Sequence, residues 1–563
     1  MLLLKTLNLN RVIVKFTKSI IEMKNYNILL FMVAIPLVFS CSTVSRKTIV
    51  DEPGWNDEII YHVFQRSFYD SNGDLHGDLN GLVEKLDYLK DLGVTTILLT
   101  PLYESGFYHN YFPTDYEKID PEYGTKQDYL NFVKAVHKKG MKFLMDMETQ
   151  YAQNGNKWFD DSYKNPKSQY SDFIYYSDTL NQFPEQIFMP SKSPLYNFKA
   201  WPDKEYNLVL LNLNNQRVRG WMIDFYAYWV DPNGDGNFDD GVDGFRIDHI
   251  MDDLDNKGVF TNMYSQFWKP IFQRCKTINP KVFILGEQAN WNEYGDKMVS
   301  ESGADAAFNF PLRFALANVK GAQDMYIDQT ATGVRIEPDR ICTEISESMK
   351  RFSGNIYIVN FLENHDLNRW SSVVNGNVGQ LRIGAVLNIL LPGVPSIYYG
   401  QELGVTGKIQ EWGYDVNHIP VREAFPWTPN PNEPGTAVFY KETGPWWDQS
   451  YFKTGESEKF ALSVQQKDPS SIWNFYRKFI HFRKTSGAIM NGDFKRIETS
   501  NPEMLAFSRE TPNEKVMVML NLSEKSIVIK SPSSKKYEFQ EKASIKADSL
   551  FFQPYGFVIY KEK

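Results

Sequence analysis

Residues 242–248 read VDGFRID and residues 282–287 read VFILGE. Each is a short apolar run that closes on a carboxylate, Asp248 in the first and Glu287 in the second, and each is flanked by polar or helix-forming sequence. Runs of this length suit β-strands buried on both faces. Six more apolar runs are bounded in the same way, two of them also ending on an acid: IIYHVF (59–64), TTILLTP (95–101), KFLMDM (142–147), AAFNFPL (306–312), IYIVNFLENHD (356–366) and SIYYGQE (396–402). Amphipathic stretches such as LVEKLDYLKDLG (82–93) and KQDYLNFVKAVHKKG (126–140) separate them. Eight strands alternating with helices predict a parallel (β/α)8 TIM barrel. No glycine-rich phosphate loop follows the first strand, which speaks against an open doubly wound sheet.

Two regions break the alternation. Residues 150–205 are polar and aromatic without helical period, and read as a domain inserted after the third strand. Residues 487–563 contain MLAFSRE, KVMVMLNLS, SIVIKS and FFQPYGFVIYK, short strands with turns that predict an all-β sandwich. The expected division is thus a leader at 1–41, a tether at 42–54, barrel at 55–149 and 206–486, the insertion at 150–205, and the sandwich at 487–563.

The 563-residue chain carries a net charge of −8. Residues 1–40 hold five basic residues against Glu22, a net of +4, which leaves the remainder at −12. An acidic body without a basic stretch excludes a phosphate-binding surface, and with it nucleic acid as a partner. Aromatic residues make up 15% of the chain, enough to provide flat faces for a ligand such as a sugar as well as core packing. From Met23 the sequence runs through Lys24 and an apolar stretch to Val-Phe-Ser-Cys at 38–41, a secretory signal by its charge, core and small residue. This ending resembles a bacterial lipoprotein signal, in which Cys41 becomes the lipidated first residue. The expectation is an exported protein held to a membrane only by that anchor. Cys275 and Cys342 are the only other cysteines, too few for a disulfide scaffold, and the sequence leaves open whether they pair.

Catalytic groups of a TIM barrel sit at the carboxyl ends of its strands. Those ends carry Asp248, Glu287 and Asp366, with Arg246 on the same strand face as Asp248 and His365 beside Asp366. One such acid alone reads as a helix cap. Three acids with an arginine and a histidine at one mouth read as a site.

GFRID (244–248), ILGE (284–287) and FLENHD (361–366) resemble, in order and spacing, three stretches of the α-amylase family, glycoside hydrolase family 13. GVTTILLTPLYES (93–105), HNYFPTDYEKIDPEYGT (109–125), LNLNNQRVR (211–219) and YYGQELG (398–404) extend the resemblance over residues 55–563. It implies a retaining glycosidase acting on α-glucosidic bonds of starch-like glucans or malto-oligosaccharides. Asp248 would be the nucleophile, Glu287 the acid/base, and Asp366 the residue that holds and strains the sugar. Arg246 would orient Asp248, His365 would bind sugar hydroxyls, and Tyr111 and His109 would contact the sugar at the cleavage point. A transglycosylase or isomerase of the same family shares these motifs. A glycan-binding protein without catalysis would be expected to have lost Asp248 or Glu287.

One stretch departs. The family shows Asp-x-x-x-Asn-His at the end of the third strand, and this chain has Asp146-Met-Glu-Thr-Gln150-Tyr151. The asparagine often ligates calcium between barrel and insertion, so that site is expected to be missing here and the sugar subsite altered.

Two loops have calcium-like spacing. DSNGDLHGD places Asp70, Asn72, Asp74 and Asp78 in a glycine-containing turn, with the His76 carbonyl available, and resembles the calcium loop of oligo-1,6-glucosidase relatives. DPNGDGNFDD places Asp231, Asn233, Asp235 and Asp239 likewise, with Gly236 at the sixth position but Val242 where an EF-hand needs glutamate. Asx turns satisfying their own backbone would produce the same spacing. Either ion would be structural.

Overall fold

A computed structural model describes residues 54–324, 334–354, 356–412, 415–530, 537–546 and 548–562. The leader, including Cys41, lies outside the described residues. Eight parallel strands close into a barrel: β1 (Ile60–Val63), β2 (Thr96–Leu99), β3 (Lys142–Met147), β4 (Gly244–Ile250), β5 (Phe283–Gln288), β6 (Ala306–Phe308), β7 (Tyr357–Asn360) and β8 (Val394–Tyr398). Each strand pairs with its sequence neighbours, and β8 returns to β1. All residues of β2, β5 and β8 are buried, as expected of strands between a packed interior and an outer ring of helices.

Local chemistry sets the element ends. Helix Leu79–Leu92 starts where the Asp78 side chain accepts the Gly81 N–H, and it stops at Gly93, whose φ of 102° suits glycine. Helix Lys126–Lys138 opens on a Thr125/Asp128 capping box. At the start of β4, a Cβ on Gly244 would lie 2.1 Å from the Phe283 carbonyl oxygen, so close strand approach requires glycine there. The strand expected over 306–312 ends early, at Phe308. Asn309 accepts the Leu312 N–H and Pro311 occupies the first turn, which turns the chain into helix Phe310–Ala317.

Between β3 and helix Gln216–Val230, strand Tyr151–Gln153 pairs with Leu208–Leu210, and Phe198–Ala200 pairs with Lys204–Tyr206. The C-terminal region is all-β. Strands β9 (Asp493–Arg496), β10 (Met504–Thr511), β11 (Glu514–Asn521), β12 (Ile527–Lys530), β13 (Phe539–Lys546) and β14 (Ser549–Glu562) form one antiparallel sheet. Alternation divides its faces. Leu505, Phe507, Val518 and Ile559 join the main core, whereas Met504, Met519, Val558 and Tyr560 join a second, smaller one. Cys275 and Cys342 are buried free thiols, so they do not pair. Among the described residues no helix is long and apolar enough to cross a membrane.

Candidate active site

The carboxyl ends of β4, β5 and the segment after β7 converge on a cavity of about 400 Å³ lined by Asp248, His249, Glu287, Trp291, His365 and Asp366, with Tyr111, His109 and Arg422. All the residues expected at the catalytic and sugar-binding positions are brought together there except Arg246, which lies directly beneath. Its guanidinium, 1% exposed, is the hub of the site. It donates to Asp248 Oδ1 at 2.6 Å, to Glu287 Oε2 at 2.6 Å and to Asp146 Oδ1 at 2.8 Å. A buried arginine of this kind is tolerable only because carboxylates surround it. It also fixes the spacing of the acids. One carboxylate oxygen each of Asp248 and Glu287, together with a ring nitrogen of His249, lie within 4.8 Å of one another.

Spacing in a regular strand would not place His249 there, because neighbouring residues face opposite sides. The β4–β5 register breaks between Ile247 and Ile250: Ile247 pairs with Gly286, yet Ile250 pairs with Gln288. One extra residue on β4 makes a bulge that lets both Asp248 and His249 reach the mouth. His249 Nδ1 sits 2.7 Å from Asp248 Oδ2, and its backbone N–H donates to Glu287 Oε2 at 3.2 Å.

These contacts separate the two acids electrostatically. Burial would raise Asp248, but the cations of His249 and Arg246 outweigh it and hold the carboxyl well below the usual carboxylate range. Burial pushes Glu287 up to about 7; Arg246 opposes the rise, and the negative charges of Asp248 and Asp366 add to it. Burial would lower His249, but contact with Asp248 raises it to about 10. At neutral pH the cavity therefore sets an ionised Asp248 carboxylate against a Glu287 carboxyl poised to release its proton, with the His249 imidazolium and the ionised Asp366 beside them. That combination suits attack at an electrophilic carbon with proton delivery to a leaving group.

The rest of the wall is held as firmly. Asp366 lies between His365 Nε2 and an Arg422 nitrogen, each at 3.0 Å. The Tyr111 hydroxyl donates to Asp146 Oδ2 at 2.6 Å, and its ring stacks on His365 at a centroid distance of 5.2 Å. His109 Nε2 is 2.9 Å from Asp415 Oδ1. The Trp291 indole donates to Glu287 Oε1 at 3.2 Å. Trp427 packs against Phe68, Tyr69, Tyr88 and Phe425, and Trp447 is buried, so both serve packing of the long loop. Phe188, from the insertion, lines the cavity and is 61% exposed.

His249, Asp146, Asp415 and Arg422 were not among the residues that the sequence pattern singles out as site groups. Of these, Asp146 left a trace, as the aspartate that the divergent family stretch retains, whereas His249 adjoins Asp248 but strand alternation assigns it to the opposite face. The divergent stretch has a structural account. Gln150 Nε2 contacts Glu148 Oε1 and the His249 carbonyl, both at 3.4 Å, and the buried Tyr151 hydroxyl donates to Asp255 at 3.0 Å. Neither lines the cavity. Nearby, the Lys257 ammonium joins the β4 loop to the insertion, 2.5 Å from Glu185 Oε1 and 2.7 Å and 2.5 Å from the Gln186 and Met189 carbonyls. A single positive charge among oxygens thus links the two parts.

In the 70–78 loop, Asp70 accepts the N–H groups of Asn72, Gly73 and Leu75, Asp74 accepts that of His76, and Asp78 accepts those of Ser71 and Gly81. The donor set is oxygen only, as a hard cation requires, and a carboxylate has about four acceptor positions, so these bonds leave lone pairs for a metal. Among the described residues, Asp248, His249 and Glu287 are the one group of three His, Cys, Asp or Glu side chains with ligand atoms gathered within 4.8 Å. There the Arg246 guanidinium already satisfies both carboxylates.

Comparison with known proteins agrees with this geometry. The α-amylase catalytic-domain family matches residues 62–492. Alpha-amylase 3 of Dictyoglomus thermophilum is 31% identical over 548 residues, covering 94% of this chain and 99% of that protein. Trehalose synthase/amylase TreS of Mycolicibacterium smegmatis is 27% identical, covering 83% of this chain and 82% of that protein. The crystal structure of α-amylase from H. orenii superposes with a TM-score of 0.70 at 25% identity, covering 90% of this chain and 99% of that one.

Proposed function

The chain belongs to the α-amylase family of glycosidases, and on that premise we propose that it hydrolyses α-glucosidic bonds of starch-like glucans or malto-oligosaccharides with retention of anomeric configuration. The observation that carries the reading is the Asp248–Glu287 pair: oxygens within 4.8 Å, one carboxyl held low and the other raised to about 7. Retaining glycosidases place their two carboxyls about 5–5.5 Å apart, whereas inverting enzymes need roughly 6.5–9.5 Å to admit water.

In the first step Asp248 attacks the anomeric carbon while Glu287 gives its proton to the departing glycosidic oxygen. The C–O bond breaks and a glycosyl ester of Asp248 forms. In the second, Glu287, now ionised, takes a proton from water as the water oxygen attacks the same carbon and releases Asp248. Arg246 keeps Asp248 ionised and aimed. Asp366, clamped by His365 and Arg422, accepts sugar hydroxyl protons, and Tyr111 with His109 forms the wall against the ring. Phe188 offers an exposed face to a further glucose unit.

Transfer of the glycosyl unit to another sugar is the second reading, supported by similarity to a protein named as both trehalose synthase and amylase. Incubation with maltoheptaose, pullulan and starch, followed by mass spectrometry and NMR of the fresh products, separates the two. Shorter α-anomers support hydrolysis with retention; longer or isomeric sugars support transfer; β-anomers refute the retaining pair.

A calcium ion held by Asp70, Asn72, Asp74 and Asp78 would stiffen the loop that enters helix Leu79–Leu92, and would take no part in bond cleavage. The leader is proposed to deliver the protein across a membrane and to leave it anchored through lipid on Cys41. Metabolic labelling with a fatty acid, lost in Cys41→Ser, is the test.

A further inference from the structure

The insertion reaches the cavity through Ile187 and Phe188. Phe188 is 61% exposed, and its φ of 57° is one that a bulky residue keeps only where its surroundings hold it. The holding group is Asp255, on the loop that follows β4. Its Oδ2 accepts the Phe188 N–H at 3.3 Å, and its Oδ1 accepts the Tyr151 hydroxyl at 3.0 Å. Two residues on, the Lys257 ammonium binds the chain on both sides of Phe188, through the Gln186 and Met189 carbonyls.

Behind Asp255 the contacts run to the catalytic centre. Tyr151, from the stretch that departs from the family pattern, is fully buried. Its ring lies against those of Phe112 and His249, at centroid distances of 6.1 Å and 6.0 Å, and both of these line the cavity. In front, the Asp255 N–H meets Met251 Sδ at 3.1 Å, so Met251 and Phe188 share one partner. Ile250, beside Met251, pairs with Gln288, beside Ala289. Met251, Ala289 and Trp291 line the cavity together with Phe188. This apolar wall thus continues from the strand end that carries Glu287, the acid that protonates the departing oxygen, and flanks the sugar that leaves.

We infer that Tyr151 and Asp255 are positioning residues that fix Phe188 as the platform for the glucose unit on the leaving side of the cleaved bond. In transfer the same platform would receive the acceptor sugar. The inference rests on the glycosidase reading above. A ring held in place beforehand loses little freedom when a sugar packs on it, so its contact contributes fully to binding. Releasing the ring leaves the Asp248–Glu287 pair in place and weakens the hold on the departing sugar.

The test compares kcat/KM on maltoheptaose, which has sugar on both sides of the bond, with kcat/KM on α-maltosyl fluoride, whose leaving group is a single atom. It is run on the wild type, Phe188→Ala, Tyr151→Phe, Asp255→Asn and Phe188→Ala/Tyr151→Phe, each checked by circular dichroism. Each single variant should lower the ratio of the two values by about two- to tenfold, the range for one aromatic contact, with the loss on maltoheptaose mainly in KM. Tyr151→Phe should lower it no further once Phe188 is replaced, because it acts through that ring. General damage to the fold would lower both values together and leave the ratio where it was. Should Asp255→Asn fail to fold, Tyr151→Phe, which loses only a hydroxyl, decides alone. An unchanged ratio in any folded single variant, or a further loss in the double variant equal to that of Tyr151→Phe alone, would overturn the inference. Wild-type protein that cleaves neither substrate would instead remove the hydrolase reading itself.

Discussion

Replacing His249 by glutamine removes a positive charge 2.7 Å from the Asp248 carboxylate while keeping a side chain of similar length. Asp248 must be ionised to attack carbon, so its protonation sets the acid limb of kcat/KM, which reports the free enzyme. Its depressed pKa has two cationic sources, His249 and Arg246, acting against burial. With one removed, the protonated form gains, the pKa rises, and activity is lost at a higher pH as the solution is acidified. A hydrogen bond to a charged group contributes about 1.5–3 kcal/mol, and one pKa unit corresponds to about 1.4 kcal/mol. The acid limb should therefore move up by roughly one to two pH units, less than complete loss of control because Arg246 still donates to Oδ1 at 2.6 Å. The assay is the pH profile of kcat/KM on a chromogenic maltoside for wild type, His249→Gln and His249→Ala. Superimposable acid limbs, at whatever absolute rate, would refute the claim that His249 holds the nucleophile ionised.

The alkaline limb belongs to Glu287, which must carry its proton; activity should fall as pH rises through about 7. Trp291→Phe removes a donor to the ionised form, so this limb should move upward by about half a unit to one unit, read from the same profiles. Lys257→Met strands the buried Glu185 carboxylate and should cost on the order of 3–5 kcal/mol locally. The expected signs are a lower melting temperature and faster proteolysis around residues 180–200, with partial rescue by Lys257→Met/Glu185→Gln. Asp70→Asn/Asp74→Asn should lower the melting temperature more in calcium than in chelator, and equal losses would remove the ion from that loop.

The barrel was legible because a strand buried on both faces must be apolar for its whole length. All eight such runs became barrel strands, although the run at 306–312 concealed a helix start that Asn309 and Pro311 announce. The acids were legible because chemistry in this architecture gathers where strands end. His249 was not, since alternation assigns it to the opposite face and only a bulge in β4 reverses that. Arg422 and Asp415 come from a long loop without periodicity, and nothing in local sequence shows that Asp366 and His109 will meet them. The Gln150–Tyr151 stretch marked where the family pattern fails. The Lys257 ammonium among the oxygens of Glu185, Gln186 and Met189 is a contact between distant segments, visible only in three dimensions.

The central claim is that Asp248 forms a covalent bond to the sugar while Glu287 moves the proton. Its most direct test is to incubate the Glu287→Gln variant with a fluorinated maltosyl fluoride, whose leaving group needs no acid, and to map the modified peptide by mass spectrometry. A glycosyl ester on Asp248, absent from Asp248→Asn, is the predicted result. Turnover without any adduct on Asp248, or an adduct on another carboxylate, would contradict it.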